Sequence, residues 1–264
     1  MKKIIILLII LVISVTVYQL SAGSSRPLKV GVIVGPHTEI MEKVKEVAAG
    51  NGLEIEIVWY NDDYIKPNIA LQQNTLDANS FQHIPYLESM TRDRKYDLVP
   101  VAKTVFFPMG LYSKKTKSLT ELPHGATVAI PSDPINGGRA LLLLQQAGLI
   151  KLKDPADLTP LPSDITDNPR GLIIRDQDMM QITAILDTVD LAAINASYAF
   201  RAGLIPTTHA LLLETADSPY ASVIVVRSKD QNNPAIQQLI AAYHSESVKQ
   251  FVLEHFGGTI LPAW

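Results

Sequence analysis

The segment Ser132-Asp133-Pro134-Ile135-Asn136-Gly137-Gly138-Arg139 is the part of this chain best suited to hold a small charged molecule. It follows the apolar run Ala126–Ile130 and opens a leucine-rich stretch with helical spacing. A helix N-terminus exposes unpaired N–H groups and positive dipole potential, so anions are favoured there. A cation in that first turn is unfavourable by about a few tenths of a kcal/mol unless an anion is near. Arg139 therefore asks for a negative partner. Two are open: a ligand carboxylate gripped by the guanidinium fork, or a protein acid such as Asp133.

Asn195 ends the apolar run Val189–Ile194. Ligands of parallel α/β sheets sit beyond the carboxyl ends of strands, and an Asn oxygen there can accept from an ammonium. The same position equally suits a turn or a helix N-cap. Phe81-Gln82-His83-Ile84-Pro85-Tyr86, preceded by Asp77-Ala78-Asn79, packs three rings into six residues. With Tyr64 these rings form either an apolar wall suited to a thioether, whose sulfur packs well against ring edges, or ordinary core.

Signatures of catalysis are missing. The chain has no Gly-x-Ser-x-Gly, no P-loop, no His-Glu-x-x-His and no dinucleotide fingerprint. The histidines (His37, His83, His124, His209, His244, His255) show no ligand-like pairing. Without cysteine there is no disulfide, thiolate metal site or cysteine nucleophile. Acid pairs such as Asp62-Asp63 read as solvated turns. A binding protein without a cofactor is expected, not an enzyme.

The elements that must position these groups alternate. Leu28–Val34, Leu53–Trp59, Leu98–Val105, Ala126–Ile130 and Val189–Ile194 read as strands. Glu39–Ala49 and Arg139–Ala147 read as helices, closed by Gly50 and Gly148. Asn61-Asp62-Asp63 is a turn that can cap a further helix with Pro67 in its first turn. Such alternation argues for an α/β fold with mostly parallel sheets. Phe106–Ser113 and Pro219–Arg227 look like crossings between two lobes, and Asp154–Asn168, rich in Pro and Asp, like a surface connection. A chain that crosses twice makes two lobes on a two-strand hinge, with the ligand cleft between them.

Lys2 and Lys3 followed by the apolar run Ile4–Val17 mark residues 1–23 as a signal peptide or N-terminal anchor. As a helix the run covers roughly 21 Å, short of the ~30 Å hydrocarbon core. Leu20-Ser21-Ala22 would begin a lipobox, but Gly23 offers no thiol to receive a lipid. With Lys2 and Lys3 set aside, the body has 21 basic residues against 26 acidic ones. That balance gives no reason to expect nucleic acid as a partner.

From Leu28-Lys29-Val30-Gly31-Val32 to the carboxyl terminus, the chain resembles the NlpA/MetQ family of methionine-binding lipoproteins. The Asp77–Tyr86 run is similar to that family's Asp-Ala-Asn-x-Phe-Gln-His block. Asp133-Pro134-x-Asn136-x-Gly138-Arg139-Ala140-Leu141 is similar to its most characteristic block. Tyr112-Ser113-Lys114-Lys115, Ala193-Ile194-Asn195 with Tyr198-Ala199, Ser218-Pro219-Tyr220 and the Gly257-Gly258 ending closed by Trp264 follow in order. The resemblance implies a periplasmic binding protein of type II. Lobe 1 would be residues 28–107 plus 225–264, lobe 2 residues 108–224, with 24–27 as linker.

It also implies an exported receptor, in the periplasm or on the outer face of the cytoplasmic membrane. That receptor would deliver methionine or a close analogue to the permease and ATPase of an ABC importer in the inner membrane. In similar proteins the position of Arg139 holds the ligand carboxylate, and Asn136 lies in the same block. Asn195 belongs to the polar set near the amino group, and Tyr64, Phe81, His83 and Tyr86 match residues around the side chain. Two positions depart from the family: Gly23, and Ser222, where relatives carry an Asn of the ligand's polar clamp. These departures keep three other readings in view: a same-fold receptor for a different solute, a surface protein that has lost transport, and an enzyme on this scaffold.

Overall fold

The computed structural model describes residues 26–264 apart from 62, 216 and 217. Residues 1–23, expected as a signal peptide or N-terminal anchor and including Gly23, lie outside the described residues, as does Asp62. The first lobe is built on strands β1 (Leu28–Ile33), β2 (Ile55–Tyr60), β3 (Ala78–His83) and β4 (Leu98–Phe106). Strands β5 (Met109–Tyr112), β6 (Thr127–Pro131), β7 (Lys151–Leu152), β8 (Ile165–Asp167), β9 (Ile173–Gln177), β10 (Leu191–Asn195) and β11 (Leu212–Leu213) follow in the second lobe. The chain then returns through β12 (Ala221–Arg227) and β13 (Leu261–Pro262).

One six-stranded sheet runs β13-β4-β12-β3-β1-β2, and one five-stranded sheet runs β11-β5-β10-β6-β9. β1, β2 and β3 are parallel, as are β6, β9 and β10, whereas β12 runs antiparallel between β3 and β4. Helices α1 (Pro36–Gly50), α2 (Lys66–Gln72), α3 (Ile84–Arg94), α4 (Pro134–Gln146), α5 (Ala196–Arg201) and α6 (Pro206–His209) follow their strands. α7 (Pro234–Tyr243) and α8 (Glu246–His255) complete the first lobe, where they pack on α1. Each lobe has its own apolar core: Val30, Ile40, Val44 and Leu239 in the first, Leu111, Ile130, Leu141 and Leu191 in the second.

The chain passes between the two sheets at Phe107-Pro108 and again after Leu213 and before Ala221. All of Ala221–Arg227 lies in the first sheet, so the return falls before residue 225, the sequence-based boundary. Likewise Met109–Tyr112 is a strand of the second sheet, and the first crossing shrinks to two residues. The backbones of Met109 and Glu214 meet between the crossings, with the Glu214 amide donating to the Met109 carbonyl at 2.9 Å.

Two local features aim the site. Gly35 has φ +118, a left-handed conformation that a side chain would strain, and Pro36 then opens α1 at its first position. Asp133 caps α4 by accepting from the Asn136 amide at 2.9 Å, with Pro134 in the first turn. α4 therefore starts well before Arg139, which stands in its second turn. This corrects the sequence-based picture of Arg139 as a first-turn cation.

Candidate functional site

A cavity of about 420 Å³, counted out to its mouth, opens between the lobes at the carboxyl ends of β1, β3 and β10. Tyr64, Phe81, His83 and Tyr86 line it from the first lobe, and Asn136 and Asn195 from the second, so the fold brings six of the sequence-selected residues together. Arg139 and Ser222 are buried but do not line it.

The aromatic wall is both packing and pocket. Tyr64 and Tyr86 meet edge to face at 6.0 Å between ring centroids, His83 meets Tyr86 at 6.2 Å, and His83 meets Tyr220 at 5.1 Å. Burial pushes the Tyr64 phenol up to about 12, with the charge of Asp133 as the next cause. Behind this wall the polar residues of the Asp77–Tyr86 run are structural. Gln82 Nε2 donates to Asn68 Oδ1 (2.6 Å) and Asn79 Oδ1 (3.0 Å), and Asn68 Nδ2 donates back to Gln82 Oε1. Asp77 accepts from Arg26 and from the Lys29 amide. These bonds hold the end of β3, and with it Phe81 and His83, in place.

Across the cleft Asn136 is the junction. His83 Nδ1 accepts from the Tyr86 amide, so its proton sits on Nε2, which donates to Asn136 Oδ1 at 3.2 Å. Asn195 Nδ2 donates to the same oxygen at 2.9 Å, while Asn136 Nδ2 donates to both oxygens of Asp133 at 3.1 Å. Burial raises the Asp133 carboxyl above its ordinary range, opposed by those hydrogen bonds. Burial first, and the Arg139 charge second, push the His83 imidazole down to about 3, which keeps it neutral. Asn136 thus links the lobes but has no polar atom to spare.

Asn195 is different. It occupies the N-cap position of α5, yet its side chain caps nothing. Its Oδ1 is buried and meets no hydrogen-bond donor among the described residues. An acceptor left in this way costs about 1–3 kcal/mol unless a ligand or solvent donor reaches it.

Arg139 answers to an internal acid, but not to Asp133. Its Nε donates to Glu214 Oε1 and Oε2 at 3.2 and 3.1 Å, and Nη2 also bonds Glu214. Nη2 further donates to the Phe107 carbonyl at 2.8 Å, and the Tyr220 ring covers the guanidinium at 4.4 Å. Glu214 also accepts from the Met109 amide and the Ser218 hydroxyl. Arg139 therefore ties α4 to both crossings, and only its Nη1 donates to no acceptor among the described residues. Ser222 sits behind the wall, paired in register with His83.

The cavity is completed by residues that the sequence reading did not select: Ile33, His37, Gln82, Met179, Ser197 and Tyr198. His37, Ser197 and Tyr198 follow the carboxyl ends of β1 and β10, so the strand-end rule applied to Asn195 would also have found them. Met179 lies in an irregular stretch with no periodic signal.

A family model described as NlpA lipoprotein matches residues 28–264. The chain is 42% identical over 240 residues to the D-methionine-binding lipoprotein MetQ of Escherichia coli, covering 90% of this chain and 88% of that protein. A solved nutrient binding protein from Burkholderia cenocepacia, bound to methionine, is 44% identical with a TM-score of 0.87, covering 90% of this chain and all of that one. An ABC transporter periplasmic substrate-binding protein from Coxiella burnetii is 47% identical with a TM-score of 0.86, covering 89% of this chain and 100% of its own.

Proposed function

The chain belongs to the NlpA lipoprotein family, and we propose that it is the substrate-binding receptor of an ABC importer that captures methionine or a close analogue. The observation that carries this reading is the Asn195 Oδ1, a buried acceptor without a donor, set beside an aromatic wall in an interlobe cavity. A ligand ammonium supplies the donor. Tyr64, Phe81, Tyr86, Tyr198 and Met179 then surround an apolar side chain, and a thioether gains from contact with ring edges.

The lobes close around the ligand by movement where the chain crosses between the sheets, at Phe107-Pro108 and ahead of Ala221. His83 and Asn136, which touch across the cleft, hold the closed form. Arg139 acts from behind the cavity, its charge balanced by Glu214. Ser222 does not line the cavity and acts on the ligand only through the wall that it backs.

Relatives are named as binding proteins, and the receptor hands its ligand to a membrane permease driven by an ATPase. It works outside the cytoplasm, as relatives named lipoproteins and a periplasmic protein suggest. No helix among the described residues is long and apolar enough to cross a membrane. Native mass spectrometry of protein purified without denaturation provides the test. A bound mass equal to methionine is expected; a different co-purified solute, or no ligand after incubation with methionine, would refute the reading.

A further inference from the structure

The polar groups that line the cavity fall into two sets. Gln82, His83 and Asn136 are fully engaged by the protein. His37, Asn195 Oδ1 and the Ser197 hydroxyl make no hydrogen bond among the described residues. His37 is the largest of these and is only 6% exposed. We infer that His37 reads the ligand: its imidazole N–H donates to the carboxylate of the bound amino acid, while Asn195 takes the ammonium. This rests on the amino-acid receptor reading above and adds a contact that the family resemblance did not supply.

Three features support it. The ring is held in place, tilted 40° against Phe107 with centroids 4.2 Å apart, so its direction is set by the hinge. Gly35 and Pro36 fix the start of α1 immediately before it. His37 stands in the first turn of that fifteen-residue helix, where the dipole favours an anion over a cation. Burial separately keeps the imidazole neutral, pushed down to about 3. A neutral imidazole carries one donor and one acceptor, and neither is spent on the protein, so the ring offers its N–H to a ligand in the cavity it lines. A carboxylate accepting there adds a charge-assisted hydrogen bond only when ligand is bound, which is how a binding residue contributes to affinity.

The test is calorimetric titration with L-methionine. His37→Phe keeps a ring on Phe107 but removes both nitrogens, with His37→Leu in reserve if the larger ring perturbs folding. His37→Gln keeps an N–H donor. His37→Phe is expected to weaken methionine binding about tenfold or more, and His37→Gln to recover to within about threefold of the original affinity. With methioninamide, which has no carboxylate, His37→Phe is expected to cost less than about twofold. Unchanged methionine affinity in His37→Phe, no recovery in His37→Gln, or an equal loss for both ligands each overturns the assignment. Failure of the unsubstituted protein to bind methionine overturns the receptor reading itself, and is distinguished by that fact.

Discussion

The hinge around Arg139 and the cavity around Asn195 both adjoin α4, through Arg139 itself and through the Asn195–Asn136 bond, and they treat polarity in opposite ways. At the hinge a full positive charge is met by Glu214, a backbone carbonyl and an aromatic face. In the cavity, Asn195 Oδ1 is buried with a hydrogen bond missing. The charge holds the protein together; the unfilled acceptor is open to a ligand donor. A lone charged residue in a sequence is therefore a poor guide to a ligand's charge until its internal counter-charge has been sought.

The strongest way to break this comparison is to remove the counter-charge. Glu214→Ala leaves the Arg139 guanidinium buried and unpaired, which costs about 3–5 kcal/mol. Denaturant unfolding should show that loss, and a drop below about 1 kcal/mol would mean that Arg139 finds its partner elsewhere. Replacing the pair together, as Arg139→Met with Glu214→Gln, should recover much of the stability.

Next in size is the response to acid. His37 and His83 sit near 3 in the folded protein against about 6.5 unfolded. Below pH 6.5 the unfolded chain takes up protons that the folded one refuses, so stability falls as pH drops toward 3. Each imidazole contributes up to about 1.4 kcal/mol per pH unit, or roughly 2 kcal/mol between pH 7 and 5. His37→Phe should flatten the slope of stability against pH by about one proton. An unaltered slope would show that His37 titrates normally.

Asn195→Ala sharpens the other side. It removes the free acceptor and the bond to Asn136 Oδ1, and should weaken methionine binding by about 1–2 kcal/mol with less effect on the melting temperature than Glu214→Ala. Equal affinity would take the ammonium away from this site. The smallest effect expected is for Tyr64→Phe, which keeps the edge contact with Tyr86 and removes a hydroxyl with no hydrogen-bond partner among the described residues. Its affinity should stay within about twofold, and a larger loss would place that hydroxyl on the ligand.

Much of the architecture could be read from the chain because it depends on local patterns. Apolar runs of strand length mark β1, β6 and β10 nearly in place, and helical spacing marks the body of α4 but not its start. The carboxyl-end rule led to Asn195, and the ring density to Phe81, His83 and Tyr86. What was hidden lay far apart in sequence. Glu214 is 75 residues from Arg139, and no local signal marks it as the acid that neutralises the guanidinium. Nor does sequence reveal which amides are already spent: Asn136 and Asn195 look alike in it, yet one has every polar atom engaged and the other has an oxygen left over. The start of α4 was misjudged for a related reason, because the capping of Asp133 onto Asn136 moved Arg139 into the second turn.

A crystal structure of the protein with L-methionine bears most directly on the central claim, that neutral groups short of partners receive the amino acid while the hinge charge stays paired. The ligand nitrogen should lie within about 3.2 Å of Asn195 Oδ1, with Arg139 still bonded to Glu214. Glu214 displaced from Arg139 by the ligand carboxylate, or an ammonium turned away from Asn195, would contradict it.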